Sequence, residues 1–335
     1  MALLTALLAL RDSGVIGKDA LFCLHVEHGI RPAEESKGDA EFVREFCKSN
    51  SIECKIENIP PGKAAALARK RGIGIEAAAR FFRHRAFSKE ASRLGEKTII
   101  LLAHTKDDLL ETVLMRILRG AGSAGLSAMP VKRGRLLRPL LKMTRVDVVE
   151  YLKTKNISWR EDSTNADEKY LRNRIRRALI PLLNEAFPSW KSGVFNMAQT
   201  QSLTADFIVA EAIARVKWHD CKKSGERGQE ISHNALKDCA DSDFSVSVFT
   251  EAPNFFAQEQ IIREEAVFLA IDELLKNKKN PRPVKRVVVR RFCAGIVNAA
   301  DLGPVKISRE GEKIILSRAQ KEFFESGISR LLRVR

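Results

Sequence analysis

The sequence contains no Cys-x-x-Cys pair, and its six cysteines (Cys23, Cys47, Cys54, Cys221, Cys239 and Cys293) share no repeated spacing. That spacing offers neither the paired ligands of a structural zinc site nor a disulfide framework. Several of the cysteines lie in apolar runs such as LFCLHV, where a thiol behaves as a small hydrophobe, and a reducing compartment is expected. No run reaches the roughly 18 apolar residues that a membrane span needs. The opening MALLTALLALRDSG is apolar but has no basic stretch ahead of it, which argues against a secretory signal. The expected location is the cytoplasm, with no membrane partner. Internal repeats and low-complexity tracts are also missing, which leaves an ordinary globular chain.

Acidic residues are the other shortage. Against 58 Lys and Arg stand 42 Asp and Glu, for a formal charge of +16 and a pI near 9.7. Such an excess points to a polyanionic partner, because Lys and Arg release counterions from a phosphate backbone. The 335 residues, 44% hydrophobic and 30% charged, suffice for a large domain and a smaller one.

In the first half, strand-like and helix-like segments alternate. Leu3, Leu4, Leu7 and Leu8 share a helical face, ALFCLHV reads as a buried strand, AEFVREFCKSN as a helix and IECKIENI as a strand. GIEAAARFFRHRAFSKEASRLG reads as a long helix ended by Gly95, and KTIILLAH as another buried strand. This alternation predicts an α/β fold, a doubly wound parallel sheet with ligands beyond the carboxyl ends of its strands. His25, His28 and His104 lie where strands run out. From Val131 to Arg177 there are 14 Lys and Arg against 6 Asp and Glu, and RNRIRRALIPLLNEAF reads as a helix broken near Pro181. The stretch from about Ser189 to Asn277 reads as mainly helical, and the basic tail as short strands. We therefore expect domains at residues 1–188 and 189–335, with the boundary near 185–195.

Within this basic chain, HTKDDLLETVLMRILRG places three carboxylates in five residues. On a helical wheel Leu109, Leu110, Val113, Leu114 and Ile117 fall on one side, and His104, Asp107, Asp108, Glu111, Thr112, Arg116 and Arg119 on the other. First-turn acids suit the helix dipole. They could equally hold Mg²⁺ beside phosphates or grip an attacking amine.

With the strings HVEHGIRPAEESKGDAEFV, IEAAAR, AHTKDDLLETVLMRILRGAGSAGLSAMP, LLRPLLKMTR and WREDSTNADEKYLRNRIRRALIPLL, the chain resembles the tRNA(Ile)-lysidine synthetases, a PP-loop ATP pyrophosphatase family. The strings cover about residues 20–185 in the family's order. The resemblance implies adenylation of the wobble cytidine of a CAU-anticodon isoleucine tRNA by ATP, then attack by the ε-amine of L-lysine to give lysidine, AMP and pyrophosphate. It places lysine on Arg80, Asp108 and Glu111, and gives Asp107 and Asp108 catalytic roles, with Asp107 also a Mg²⁺ candidate. It places ATP in a crevice lined by His25, His28, Gly29, Arg31 and His104. Arg119, Arg138, Arg172, Asn173, Arg174 and Arg176 fall to the tRNA. One of Arg172, Arg174 and Arg176 would meet the phosphates or the developing charge, and Arg174 is put forward. Whether the protein acts as a homodimer is left open. In the tail, Arg282, Lys285, Arg286, Arg290 and Arg291 resemble the family's tRNA-binding region only in charge.

Two departures accompany the resemblance. The family's Gly-rich SGGxDS loop, which cradles pyrophosphate, is not in this sequence. The expectation is a start assigned too far downstream, in a protein roughly 20–30 residues longer. Thr105 stands where relatives usually carry His. Besides the ligase, the alternatives are a non-catalytic RNA-binding remnant and a thiolating relative. The last would want paired cysteines, which are lacking.

Overall fold

The structure is a computed structural model that describes residues 1–29, 33–127, 129–160, 171–220, 247–275 and 284–318. Arg31, the EDSTN string and Arg282 lie outside these residues. The chain divides into two compact units, Met1–Ser202 and Leu203–Arg335.

The first unit opens with α1 (Ala2–Asp12), β1 (Phe22–Glu27), α2 (Ala33–Ser49) and β2 (Glu53–Asn58). It continues with α3 (Lys63–Arg71), α4 (Ile75–Leu94), β3 (Ile100–Leu101), α5 (Lys106–Ile117) and α6 (Ser123–Leu126). Then follow the short β4 (Lys132–Arg133) and β5 (Leu136–Leu137), and α7 (Arg145–Thr154). It is an α/β arrangement with parallel pairing. β1 pairs with β2 in parallel from Phe22↔Glu53 to Glu27↔Asn58, and β3 with β5 in parallel, Ile100↔Leu136. The intervening helices make these crossovers possible, since parallel neighbours cannot be joined by a tight turn. Among the described residues β1–β2 and β3–β5–β4 are two separate sheets, and the strand expected over KTIILLAH shortens to two residues.

Gly29 shows how tightly the carboxyl ends of β1 and β2 close. Its φ is +61°, and a Cβ there would stand 2.5 Å from the Ile59 carbonyl oxygen and 3.1 Å from Pro61 N. Only glycine permits both the left-handed turn and that approach.

After α7 come α8 (Leu171–Arg174), a π turn (Ile175–Leu179) and α9 (Ile180–Ala186) in unbroken succession, then α10 (Trp190–Arg215). The break expected at Pro181 is instead a widened turn ahead of it. Proline at the start of α9 supplies no N–H to the preceding turn, and the wider i→i+5 pattern absorbs the loss. The division between the units falls inside α10, beyond the composition shift near residue 189. Among the described residues no helix is long and apolar enough to cross a membrane.

The second unit holds β6 (His219–Asp220), β7 (Ser247–Glu251), α11 (Ala252–Ala257), α12 (Gln260–Leu275), α13 (Arg286–Cys293), β8 (Ala299–Asp301), β9 (Val305–Glu310) and β10 (Lys313–Arg318). Its strands form one antiparallel sheet in the order β6-β7-β10-β9-β8. The stretch read as mainly helical thus also carries β6 and β7. Its core joins Phe255, Val267, Ile271, Val289, Phe292, Ile307, Ile314 and Leu316. Two basic residues of the tail, Arg286 and Arg290, face Glu264 at 3.4 and 3.2 Å, tying α13 to α12.

Candidate active site

Helix α5 is fixed before it contributes any chemistry. The Thr105 hydroxyl accepts from Asp108 N at 3.5 Å, and Asp108 Oδ2 accepts from Thr105 N at 2.9 Å, a reciprocal capping box. Thr105, the departure from the family pattern, is therefore the N-cap. Leu109 and Val113 pack with Met129, Leu141 and Ala198, while Leu110 and Leu114 pack with Ile175 and Trp190. Anchored on two sides, the helix holds Glu111 at 2% exposure.

A buried carboxylate needs partners, and α8 with its π turn supplies them. Arg172 Nε donates to Glu111 Oε2 at 2.7 Å and Arg172 Nη2 to Asp108 Oδ1 at 2.9 Å. Arg176 Nε donates to Glu111 Oε1 at 2.6 Å and its Nη2 to Oε2 at 3.0 Å. Glu76, in the first turn of α4, stands 4.0 Å from Arg172 Nη1. The Glu111 bonds raise the proton affinity of Arg176. Arg172 and Arg176 are four apart and share a side, and Asn173 is buried beneath them. Arg174, put forward as catalytic, projects to the exposed side of α8, away from this cluster, with no ion pair among the described residues.

Around the acids lies a set of arginines that the sequence only partly disclosed. Arg80 is held below its ordinary value by burial first and then by Arg172, with Glu76 opposing. Arg83 is lowered by burial, Arg80 and Arg172. Arg116 and Arg138 are lowered by burial, then by Arg80 and Arg133. Arg80 is common to all these effects and marks the middle of a mutually repelling group. Two neutral imidazoles accompany it. Burial, reinforced by Arg80, Arg83, Arg138 and Arg133, lowers His84 to about 4. His104 is lowered to about 4 by burial, against the pull of Asp108 and with the help of Arg138, Arg80 and Arg83. Its buried Nδ1 has no hydrogen-bond partner among the described residues. Such a concentration of cations raises the local positive potential. Arg83, His84 and Arg133 were missed from sequence. The signal was available in AARFFRHR, where Arg80 and Arg83 fall one turn apart, and in VKRGRLLR.

Two expected residues, Asp107 and Arg138, make contacts other than those expected of them. Asp107 Oδ2 accepts from Arg145 N at 2.6 Å, an orphan donor in the first turn of α7. With Asp108 and Glu111 taken by guanidinium and hydroxyl groups, the acids of α5 do not fit a Mg²⁺ site, which wants free carboxylate oxygens and room for water. Arg138 is 3% exposed and donates Nη1 to the Pro130 carbonyl at 2.7 Å. Buried in this way, it has little surface to offer a tRNA. Arg119 is exposed at the end of α5. His25, His28 and Gly29 stand at the carboxyl end of β1, and His104 follows β3 on the other sheet of the unit.

Parallel strand pairs joined by helical crossovers define an α/β class, and the PP-loop domain family model matches residues 1–183, more than half the chain. The chain belongs to that family. Among characterised relatives it is 42% identical to the tRNA(Ile)-lysidine synthase of Treponema denticola, over 63% of this chain and 45% of that one. It is 41% identical to that of Caldanaerobacter subterraneus over 50% of this chain and 35% of that one, and 35% identical to that of Pseudomonas aeruginosa over 62% and 44%. The chain thus spans less than half the length of these relatives. Among solved structures, the U34-tRNA thiolase NcsA from Methanococcus maripaludis superposes with a TM-score of 0.46, at 15% identity, over 58% of this chain and 67% of that one.

Proposed function

We propose that the chain acts as an ATP-dependent tRNA-modifying ligase that joins L-lysine to the C2 position of the wobble cytidine of a CAU-anticodon isoleucine tRNA. The observation that carries this reading is the contact of Asp108 and Glu111 with Arg172, next to the arginines gathered around Arg80. Lysine carries two ammonium groups and one carboxylate, so its recognition needs acids and a cation side by side. Asp108 and Glu111 would take the ammonium end and Arg80 the carboxylate. An arriving ammonium competes with Arg172 for the two acids, and its entry frees a guanidinium for a phosphate oxygen of ATP or of the adenylated base. Withdrawal of the Arg172 guanidinium raises the proton affinity of the two carboxylates and favours transfer of the ammonium's proton to Asp108 or Glu111, which frees the amine to attack.

The triphosphate belongs beside Arg80, Arg83 and Arg133, with His104 offering a neutral Nδ1 to the base or ribose. His25, His28 and Gly29 would complete the ATP site in this reading. The exposed Arg119 and Arg174 are left for the tRNA backbone, where guanidinium–phosphate pairs set position rather than sequence. The basic surface delivers the polyanion and the acids handle the cation at its reacting end.

A binding-only protein is the second reading, favoured by the closure of Glu111 on two arginines, which leaves no carboxylate oxygen of that residue open. Incubation with ATP, radiolabelled lysine and a CAU-anticodon transcript distinguishes them. The ligase transfers label to the tRNA and releases AMP. RNA binding without label transfer is the signature of the binding protein.

A further inference from the structure

Cys23, Cys47 and Cys54 come from β1, α2 and β2, with 23 and 6 residues between them, and no spacing rule joins them. The fold brings them together. Cys23 and Cys54 are register partners across the parallel pair, and Cys47 projects from the last turns of α2 onto the same side. The three sulfurs all lie within 4.8 Å of one another. Metal–thiolate bonds of about 2.3 Å put three sulfurs around one ion roughly 4 Å apart, so little movement is needed to close them on a single centre. All three are free thiols.

The surroundings are selective. Leu8 and Ile52 are buried against the cysteines, with Leu4, Leu21, Val43 and Phe46 packed around them. Two of the nearby cations are directed elsewhere, Arg11 to the Asn50 carbonyl at 2.7 Å and Lys55 to Glu90 at 2.6 Å, while the partly buried Met1 ammonium lies close enough to Cys23 to interact with it. Burial is the first cause that raises both Cys23 and Cys47, the latter to about 11, so these groups stand as neutral thiols. Three thiolates around a univalent ion would leave two uncompensated negative charges in this apolar shell, and around a divalent ion one. Around a trivalent centre they leave none, and an apolar shell penalises net charge heavily.

We propose that Cys23, Cys47 and Cys54 form a three-thiol binding site for a trivalent thiophilic metalloid of the arsenite class. The reaction is a neutral condensation: arsenous acid, As(OH)₃, exchanges its three hydroxyls for three sulfurs, each hydroxyl leaves as water with one thiol proton, and no electron is transferred. Cys23 and Cys54 are only half-buried and provide the way in, while Cys47, fully buried, closes the site from beneath. The product ties α2 to both strands, two residues before His25.

Arsenite titration of the whole reduced protein, followed by rapid alkylation and peptide mapping, tests the site. The expected result is one arsenic per chain, three sulfur neighbours by X-ray absorption at the arsenic edge, and an arsenite-dependent loss of alkylation at the half-buried Cys23 and Cys54 that no other cysteine shows. Cys54→Ala, on the half-exposed strand, should weaken arsenite binding by about ten-fold or more. An arsenite-dependent loss of alkylation at a cysteine outside this set, two sulfurs at the arsenic, or unchanged affinity in a folded Cys54→Ala protein overturns the proposal. Should that variant fail to fold, protection and sulfur count in the unaltered chain decide the matter alone.

Discussion

Arg172 reaches Glu111 through a single 2.7 Å Nε–Oε2 hydrogen bond and simultaneously holds Asp108 at 2.9 Å through Nη2. Sixty-one residues separate Arg172 from Glu111, so the contact exists only once α8 has docked on α5. The apolar pairing of Leu110 and Leu114 with Ile175 and Trp190 makes that docking, and the ion pairs then set which arginine faces which acid.

Glu111→Gln keeps the shape of the side chain and removes its charge from between two guanidiniums. A loss of about 2–3 kcal/mol in unfolding free energy is expected. This is below the roughly 3–5 kcal/mol for a wholly buried pair, because both arginines reach solvent. Urea unfolding measures it. Lysine saturation should shift to higher concentration while RNA affinity stays within about two-fold. An unchanged lysine dependence would leave Glu111 a purely structural group.

Asp107→Asn separates helix capping from metal binding. Loss of the carboxylate at the start of α7 should cost about 1 kcal/mol and leave the magnesium concentration for half-maximal activity where it was. A large rise in that concentration with unaltered stability would make Asp107 a metal ligand after all.

The two depressed imidazoles give stability a definite pH dependence. His84 and His104, near 4 in the folded chain against about 6.5 unfolded, bind fewer protons when folded between those values. Stability is therefore full above about pH 6.5 and falls as pH drops toward 4. His84→Gln should flatten this slope in a series of thermal melts from pH 7 to 4.5. An unaltered slope would show that His84 already ionises normally.

Binding of RNA should weaken steeply with salt. If several phosphates are neutralised, log K falls with log salt at a slope of about −0.9 per contact on duplex regions, and less on single strands. Removing exposed Arg174 (Arg174→Ala) should reduce the slope by about one, whereas Arg138→Ala, within the fold, should affect stability first. A flat titration of the unaltered protein would detach the +16 charge from nucleic acid.

Gly29→Ala forces a Cβ to within 2.5 Å of the Ile59 carbonyl in a left-handed turn. The backbone term alone is about 1–2 kcal/mol, and the steric approach adds to it. A melting temperature equal to that of the unaltered protein would mean the strand ends separate at little cost.

Local pattern made much of this architecture legible. Apolar runs marked β1, alternation marked β2, and the wheel of α5 separated its acids from Leu109, Leu110, Val113 and Leu114. Pairing was harder to read. KTIILLAH has the composition of a long strand, but backbone pairing extends over only Ile100 and Leu101 because β5 is equally short. Arg138, an apparent surface cation in VKRGRLLR, is instead buried with its Nη1 on the Pro130 carbonyl.

Sequence alone determined what can be decided within one element: where helices start, which face is apolar, and that a basic chain carries a compact acidic stretch. Capping, periodicity and net charge are properties of neighbours along the chain. Only the tertiary structure decided that Glu111 meets Arg172 and Arg176 rather than Arg80, that Asp107 serves α7, and that three unrelated cysteines share one apolar pocket. Those relationships depend on the docking of elements tens of residues apart, where burial makes each unpaired charge or thiol costly and so selects its neighbour.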